Sequence, residues 1–236
     1  MRLKTGDKIN AQTANWSFKG NVVKSFDAHI GKSVPLYKET HNLYLYLSDF
    51  FLQNNSKIID VGCSTGVFLK SLKRRHKNNK KKITYIGIDT VSEMIRHAKK
   101  NNTGIKFLMK DVLKYNLKNS SIISSFYTIQ FISPKHRQQT INKIYNSLNW
   151  GGAFFFIEKV RAPDARFQDY LNQVYLEYKI SQGYSSDEII NKSKSLKGIL
   201  EPFSSEGNLG MLKRAGFKDI ITVFKYACFE GFLAIK

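Results

Sequence analysis

Apolar positions along this chain fall into two kinds of segment, short continuous runs and stripes at helical spacing. Runs at 56–61, 83–89, 105–109, 121–127 and 153–158 have the length of buried strands. Segments at about 65–77, 91–101 and 135–148 separate them and repeat their apolar residues as helices do. Such alternation predicts a parallel sheet with helices on both faces. Upstream, Val22, Val23, Phe26 and Ile30 share one helical face. Pro35 interrupts, and Tyr37 to Phe51 resumes with Leu43, Tyr46, Leu47 and Phe50 expected inward. After Gly151-Gly152 and the fifth run, two helical stripes follow with no strand between them. The first passes through Phe167, Tyr170, Leu171, Val174, Tyr175 and Tyr178 and is expected to be packing surface. The second, about 186–200, carries Ile189, Ile190, Leu196 and Ile199. A further helix should end at Ala215-Gly216-Phe217, with Gly216 as its C-cap. Ile220 to Tyr226 and Phe229 to Ile235 then predict an antiparallel hairpin. The expectation is an α/β, Rossmann-like sheet of seven mostly parallel strands, with helices on both faces, in one domain spanning 1–236. A helical arm (1–54) and a helical insertion (162–215) are expected to cover the active site.

The first run ends in Ile58-Ile59-Asp60-Val61-Gly62-Cys63-Ser64-Thr65-Gly66. Gly62 and Gly66 can take φ > 0 and let a ligand lie against bare backbone. A helix starting near Thr65 would present free N–H groups and the positive end of its dipole. Asp89 ends the next run and can accept from both hydroxyls of a ribose, with Thr90 beside it. The dinucleotide fingerprint requires G-x-G-x-x-G, whereas here Cys63-Ser64-Thr65 fill the gap. The wider loop suits a cofactor whose amino-acid end lies over it, as in S-adenosylmethionine (SAM).

Composition narrows the classes. With 42% hydrophobic residues in 236, the chain can bury a sizeable core. No run has transmembrane length, and the basic N-terminus lacks the apolar core of a secretory signal. Cys63 and Cys228 are read as free thiols in a reducing cytoplasm, and no cysteine–histidine cluster has metal-ligand spacing. The net charge of +20 raises direct nucleic-acid binding as a possibility. It is not favoured, because the cations are mostly lysine, a poorer bidentate ligand than arginine. The densest run, Lys73-Arg74-Arg75-His76-Lys77 with Lys80-Lys81-Lys82, falls where a helix returns to the amino-terminal edge of the sheet. A small, anionic substrate steered inward by the overall field fits the charge better.

Segments over nearly the whole chain, those near the N-terminus and in the late helices lying outside the generic cofactor fold, resemble the carboxy-S-adenosylmethionine synthase family, within the class I methyltransferase superfamily. They are Asn15-Trp16-Ser17-Phe18, Ser33-Val34-Pro35-Leu36-Tyr37, Thr128-Ile129-Gln130-Phe131, Glu158-Lys159, Gly183-Tyr184-Ser185 and Ala215-Gly216-Phe217, together with Asp60 to Ser64. The resemblance implies SAM as cofactor, prephenate as carboxyl donor, carboxy-SAM as a product used for tRNA wobble-uridine modification, and a homodimer. It also implies cofactor contacts at Tyr37, Gly62, Cys63, Ser64, Asp89, Asp111 and Val112. Two places depart from the family. Ser193 stands where the family has an arginine that grips the carboxylate of the modified cofactor, and Phe126 where it has an asparagine.

Those departures leave methyl transfer from SAM to a small acceptor as the leading expectation, with carboxy-SAM synthesis and non-catalytic SAM or RNA binding as alternatives. Glu158, at the end of the fifth run, is the candidate base or ligand orienter, or else the partner of Lys159 or Arg161. Tyr127, Tyr184 and His136 are weaker candidates. Lys194, Arg161 and Arg166 are candidate substitutes for the missing arginine.

Overall fold

The computed structural model describes residues 3–78 and 81–236, so Lys80 of the basic run lies outside the described residues. The chain opens with a small ribbon, β1 (Leu3–Lys4) and β2 (Asn10–Ala11), followed by α1 (Asn21–Ser33) and α2 (Tyr37–Leu47). The alternating series then runs β3 (Lys57–Val61), α3 (Val67–Arg75), β4 (Thr84–Asp89), α4 (Ser92–Asn101), β5 (Lys106–Met109), β6 (Ser120–Phe126), α5 (Pro134–Ser147) and β7 (Leu148–Lys159). Three helices intervene, α6 (Ala165–Ser181), α7 (Ser186–Ser195) and α8 (Ser205–Ala215), before the hairpin of β8 (Asp219–Tyr226) and β9 (Phe229–Ile235). Seven strands form one sheet in the order β5-β4-β3-β6-β7-β9-β8. The five from β5 to β7 are parallel, and β9 is antiparallel to both neighbours.

Period-two alternation explains how single runs serve both faces. Ile58, Ile122 and Phe155 point to a core shared with α2, α3 and α4. Their neighbours Ile59, Ile123, Phe154 and Phe156 point to a second core with α5 and α8. Both faces are covered, so the central strands read as continuous apolar runs. Gly216 ends α8 at φ 117°, a left-handed position that favours glycine. A third cluster sits above the sheet's carboxyl edge, where Ile9, Trp16, Val22 and Val23 of the arm meet Met94, Leu196 and Ile199.

Two packing expectations change. In α2 the inward residues are Thr40, His41, Tyr44 and Leu45, while Tyr46 and Phe50 are exposed. Tyr44 is favoured inside because its hydroxyl donates to the Phe232 carbonyl at 2.9 Å, which satisfies its polar end. The α6 stripe is the second change. Nothing in this helix is fully buried, and Phe167, Tyr170 and Val174 are exposed. Only its Tyr175 side reaches the core, where the ring meets Phe229 edge-on at 5.4 Å. The basic run lies at the sheet's amino-terminal edge as expected, with Lys73 donating to the Thr103 carbonyl and Arg75 paired with Asp49. Among the described residues, no helix is long and apolar enough to cross a membrane.

Candidate active site

After β3 the chain packs α3 on one face of the sheet, and after β6 it packs α5 on the other. The carboxyl ends of these adjacent strands therefore open into a crevice, the place where such sheets take ligands. A cavity of about 500 Å³ occupies it. Tyr37, Asp60, Gly62, Cys63, Ser64, Asp89, Thr90, Asp111, Val112, Phe126 and Tyr127 all line this cavity, as does His136. Gly66, Glu158, Tyr184, Ser193, Lys194, Arg161 and Arg166 do not.

The glycine loop is built for internal packing as much as for a ligand. Gly62 and Gly66 have φ 73° and 80°, as the tight strand-to-helix turn requires. A Cβ on Gly62 would fall 2.1 Å from Thr128 Oγ1, and one on Gly66 2.6 Å from the Phe107 ring. The bare backbone is thus approached by the protein's own side chains. Asp89 holds the loop from the next strand. Its Oδ2 accepts from the Ser64 N–H at 3.0 Å and its Oδ1 from the Val91 N–H at 2.8 Å. Each oxygen keeps acceptor capacity for a ligand hydroxyl. Burial raises the Asp89 carboxyl above its ordinary range. Beneath the loop, Asp60 accepts from the Ser124 hydroxyl at 2.7 Å, and burial pushes it up to about 7. At the rim Asp111 is exposed, and its Oδ1 caps a turn by accepting from the Leu113 N–H at 2.8 Å. That bond leaves its other oxygen available.

Aromatic rings make the adjoining wall. Phe126 packs against Phe68 at 4.6 Å, Tyr44 at 5.0 Å and His41 at 5.4 Å. Tyr37 leans on His41, with ring centroids 4.2 Å apart. Tyr127 is held at φ 55°, an uncommon conformation for a non-glycine residue. Its buried hydroxyl has no hydrogen-bond partner among the described residues, and the nearby Thr40 hydroxyl donates to the Leu36 carbonyl at 2.7 Å. An unmet buried hydroxyl is costly, so this cavity invites a polar ligand.

Glu158 lies beside the cavity and braces it. It is 2% exposed, and its carboxylate accepts from the backbone N–H groups of Thr128, Ile129 and Gln130 at 3.1, 2.9 and 2.8 Å. Desolvation pushes it up to about 8 against these donors. It forms a salt bridge with neither Lys159 nor Arg161. Tyr184 is likewise behind the wall. Its hydroxyl donates to Asp7 Oδ2 at 2.5 Å, and the same oxygen is 2.7 Å from His29 Nδ1. Ser193, Lys194, Arg161 and Arg166 are exposed.

The roof comes from segments outside the strand–helix series. Trp16, Phe18, Phe26 and His29 descend from the arm, and Tyr175, Lys179, Lys192 and Leu196 from α6, α7 and the turn after it. His29, Lys179 and Lys192 were not among the residues expected from sequence. A signal for the lysines existed. Lys192 continues the inward stripe Ile189-Lys192-Leu196, and Lys179 stands one turn after Tyr175. Ser193 is about 100° around the helix from that stripe.

Comparisons with known proteins agree with this architecture. Residues 58–152 match the family model described as a methyltransferase domain. The carboxy-S-adenosyl-L-methionine synthase of Staphylococcus epidermidis is 38% identical, over 97% of this chain and 100% of its own. That of Nautilia profundicola is also 38% identical, over 94% of each chain. Among solved structures, the plantazolicin methyltransferase BpumL in complex with a triazolic desmethylPZN analog and SAH superposes with a TM-score of 0.65 at 14% identity, covering 90% of both chains. Human N-acetylserotonin methyltransferase in complex with SAM gives 0.57 at 16% identity, covering 94% of this chain and 60% of that one.

Proposed function

Since the chain belongs to the carboxy-S-adenosyl-L-methionine synthase family and is a SAM-dependent transferase, we propose that it makes carboxy-SAM, with prephenate as the carboxyl donor. Support comes from where the similarity extends. It spans 97% of the chain, and so includes the arm and the α6–α7 segment that roof the cavity. A bare methyltransferase sheet would lack both.

The residues present fit the cofactor. Asp89 would accept from the ribose hydroxyls, Asp111 from the adenine amino group, and the loop from Gly62 to Ser64 would face the amino-acid end. The unmet Tyr127 hydroxyl would orient a polar group at the junction with the second substrate. Bound there, SAM would supply a sulfonium-activated methyl carbon as carboxyl acceptor and prephenate the carboxyl group, with phenylpyruvate and water as the balancing products. Phe126, Tyr37, Trp16 and Phe18 exclude bulk water from that exchange. Glu158 acts by fixing the 128–130 turn rather than as a base.

Methyl transfer to a small acceptor is the second reading, favoured by Ser193 and Phe126 at the two departures. Exposed Phe167, Tyr170, Val174 and Ile180 on α6 support the homodimer. The deciding assay incubates the protein with SAM and prephenate and resolves products by mass spectrometry. Carboxy-SAM and phenylpyruvate in equal amounts are expected. SAH with a methylated acceptor, and no carboxy-SAM, would establish methyl transfer instead.

A further inference from the structure

Three lysines reach into the cavity from three elements, Lys159 from the end of β7, Lys179 from α6 and Lys192 from α7. None of them forms a salt bridge with a carboxylate of the described residues. Their neighbours are aromatic. Lys159 and Lys179 each place Nζ over the Tyr175 ring, 4.4 and 4.3 Å from its centroid, and Lys192 lies over Trp16. Lys192 Nζ also sits 3.3 Å from His29 Nε2. Asp7 occupies the other imidazole nitrogen at 2.7 Å, which assigns the Nδ1 proton to that bond and leaves Nε2 free to accept from the lysine.

Folding alone gains little from this arrangement. All three lysines are half-buried, partial desolvation disfavours their charged form, and like charges nearby add to it. Accordingly burial and mutual repulsion lower Lys192 to about 6 and Lys179 to about 8. Lys179 and Lys192 are nevertheless held on the inward stripes of their helices and Lys159 at the end of β7, with Asp7, His29 and Tyr184 bracing Lys192 from behind. Lys159 is also far from the ribose-type end of the cavity. Strand β7 is three strands from β4, about 14 Å at normal strand spacing. The two substrates therefore need not compete for one place.

Building on the carboxylate-transfer reading, we infer that Lys159, Lys179 and Lys192 form a carboxylate-binding subsite that receives a dicarboxylate co-substrate. Two carboxylates supply the missing counter-charges, and the apolar body between them lies against Tyr175, Trp16 and Phe18. Lys192 enters the subsite from the inward side of α7, whereas its neighbour Ser193 is exposed and outside the cavity.

The test is isothermal titration of prephenate, and separately malonate, into the full-length protein saturated with SAH. Wild type is compared with Lys179→Gln and Lys192→Gln. Expected is at least a tenfold loss of prephenate affinity in each variant, with SAH affinity changed less than twofold. Prephenate binding equally well to both variants and wild type would overturn the subsite while leaving the reaction standing. Lysine-dependent binding of malonate without any binding of prephenate would support the subsite and remove prephenate as donor. Failure of wild type to bind either acid would overturn it. Unliganded Lys192→Met gives an independent reading, because a ligand-binding lysine is a liability to the empty fold. It should melt above wild type, and a lower melting temperature would mark Lys192 as structural and count against its place in the subsite.

Discussion

The floor and the roof of the cavity have opposite chemistry. The floor, at the ends of β3, β4 and β6, carries carboxylates, Asp60 and Asp89, each already engaged by hydroxyl or backbone donors. The roof carries cations, Lys179 and Lys192, whose neighbours are rings and an imidazole. Acids that are satisfied within the chain stabilise a loop whether or not a ligand is present. Cations with no carboxylate of the described residues in salt-bridge contact, Lys192 having only the more distant Asp7, add little to the fold until an anion arrives. The contrast locates where the protein is built for its own fold and where for its second substrate.

The comparison is broken most severely at Asp89. Asp89→Asn removes the charge from a hydrogen-bonding site while keeping its shape. Hydrogen bonds to charged groups contribute about 1.5–3 kcal/mol, so SAH affinity measured by calorimetry should fall about 10- to 100-fold. Malonate binding to the roof should be much less affected. A SAH affinity equal to wild type would remove Asp89 from the cofactor site.

Next is Glu158, which separates bracing from catalysis. In Glu158→Gln the amide nitrogen would confront either the Gln130 N–H or those of Thr128 and Ile129. One or more buried donors would lose their acceptor, a loss of about 1–3 kcal/mol in urea unfolding. Turnover per folded molecule should change little, whereas a thousandfold loss of kcat with intact stability would make Glu158 a base.

A smaller effect depends on pH. Lys192 has a folded value near 6 against 10.5 for the ordinary side chain. Between those limits the folded state holds fewer protons than the unfolded chain, so this residue's penalty is fully present below pH 6 and is relieved as pH rises towards 10. The melting advantage of Lys192→Met over wild type should therefore be largest near pH 6 and shrink at alkaline pH. Asp60 and Glu158, raised to about 7 and 8, act in the opposite sense but are common to both proteins. The groups facing Lys192 are His29 and Asp7 from the arm, Lys179 from α6, Lys159 from β7 and Tyr184 behind.

The smallest expected change is at Ser193. Ser193→Arg restores the family's residue type, yet the position is exposed and outside the cavity. Donor KM should move less than twofold. A tenfold fall would mean that α7 turns inward when substrates bind.

Much of the sheet was legible in the chain itself. Apolar runs alternating with helical stripes specify a parallel sheet, because strands covered on both faces must be apolar throughout and the intervening helices apolar on one side. The Gly62–Gly66 loop and Asp89 follow from local requirements on φ and from a fixed position at a strand end. Other features needed the folded chain. Glu158 looked like a base because it ends a strand at the cavity edge, and only tertiary structure brings the 128–130 backbone onto it. The α2 stripe was misassigned because hydrophobicity ranks Tyr46 with Tyr44, whereas a carbonyl acceptor exists for Tyr44 alone. The basic roof was hidden because a lysine's role depends on what surrounds its ammonium group. Local sequence determines backbone geometry and which faces must be buried; the counter-charges and acceptors around a polar atom come from segments as distant as Asp7, His29, Tyr184 and Lys192, and only the packed fold brings them together.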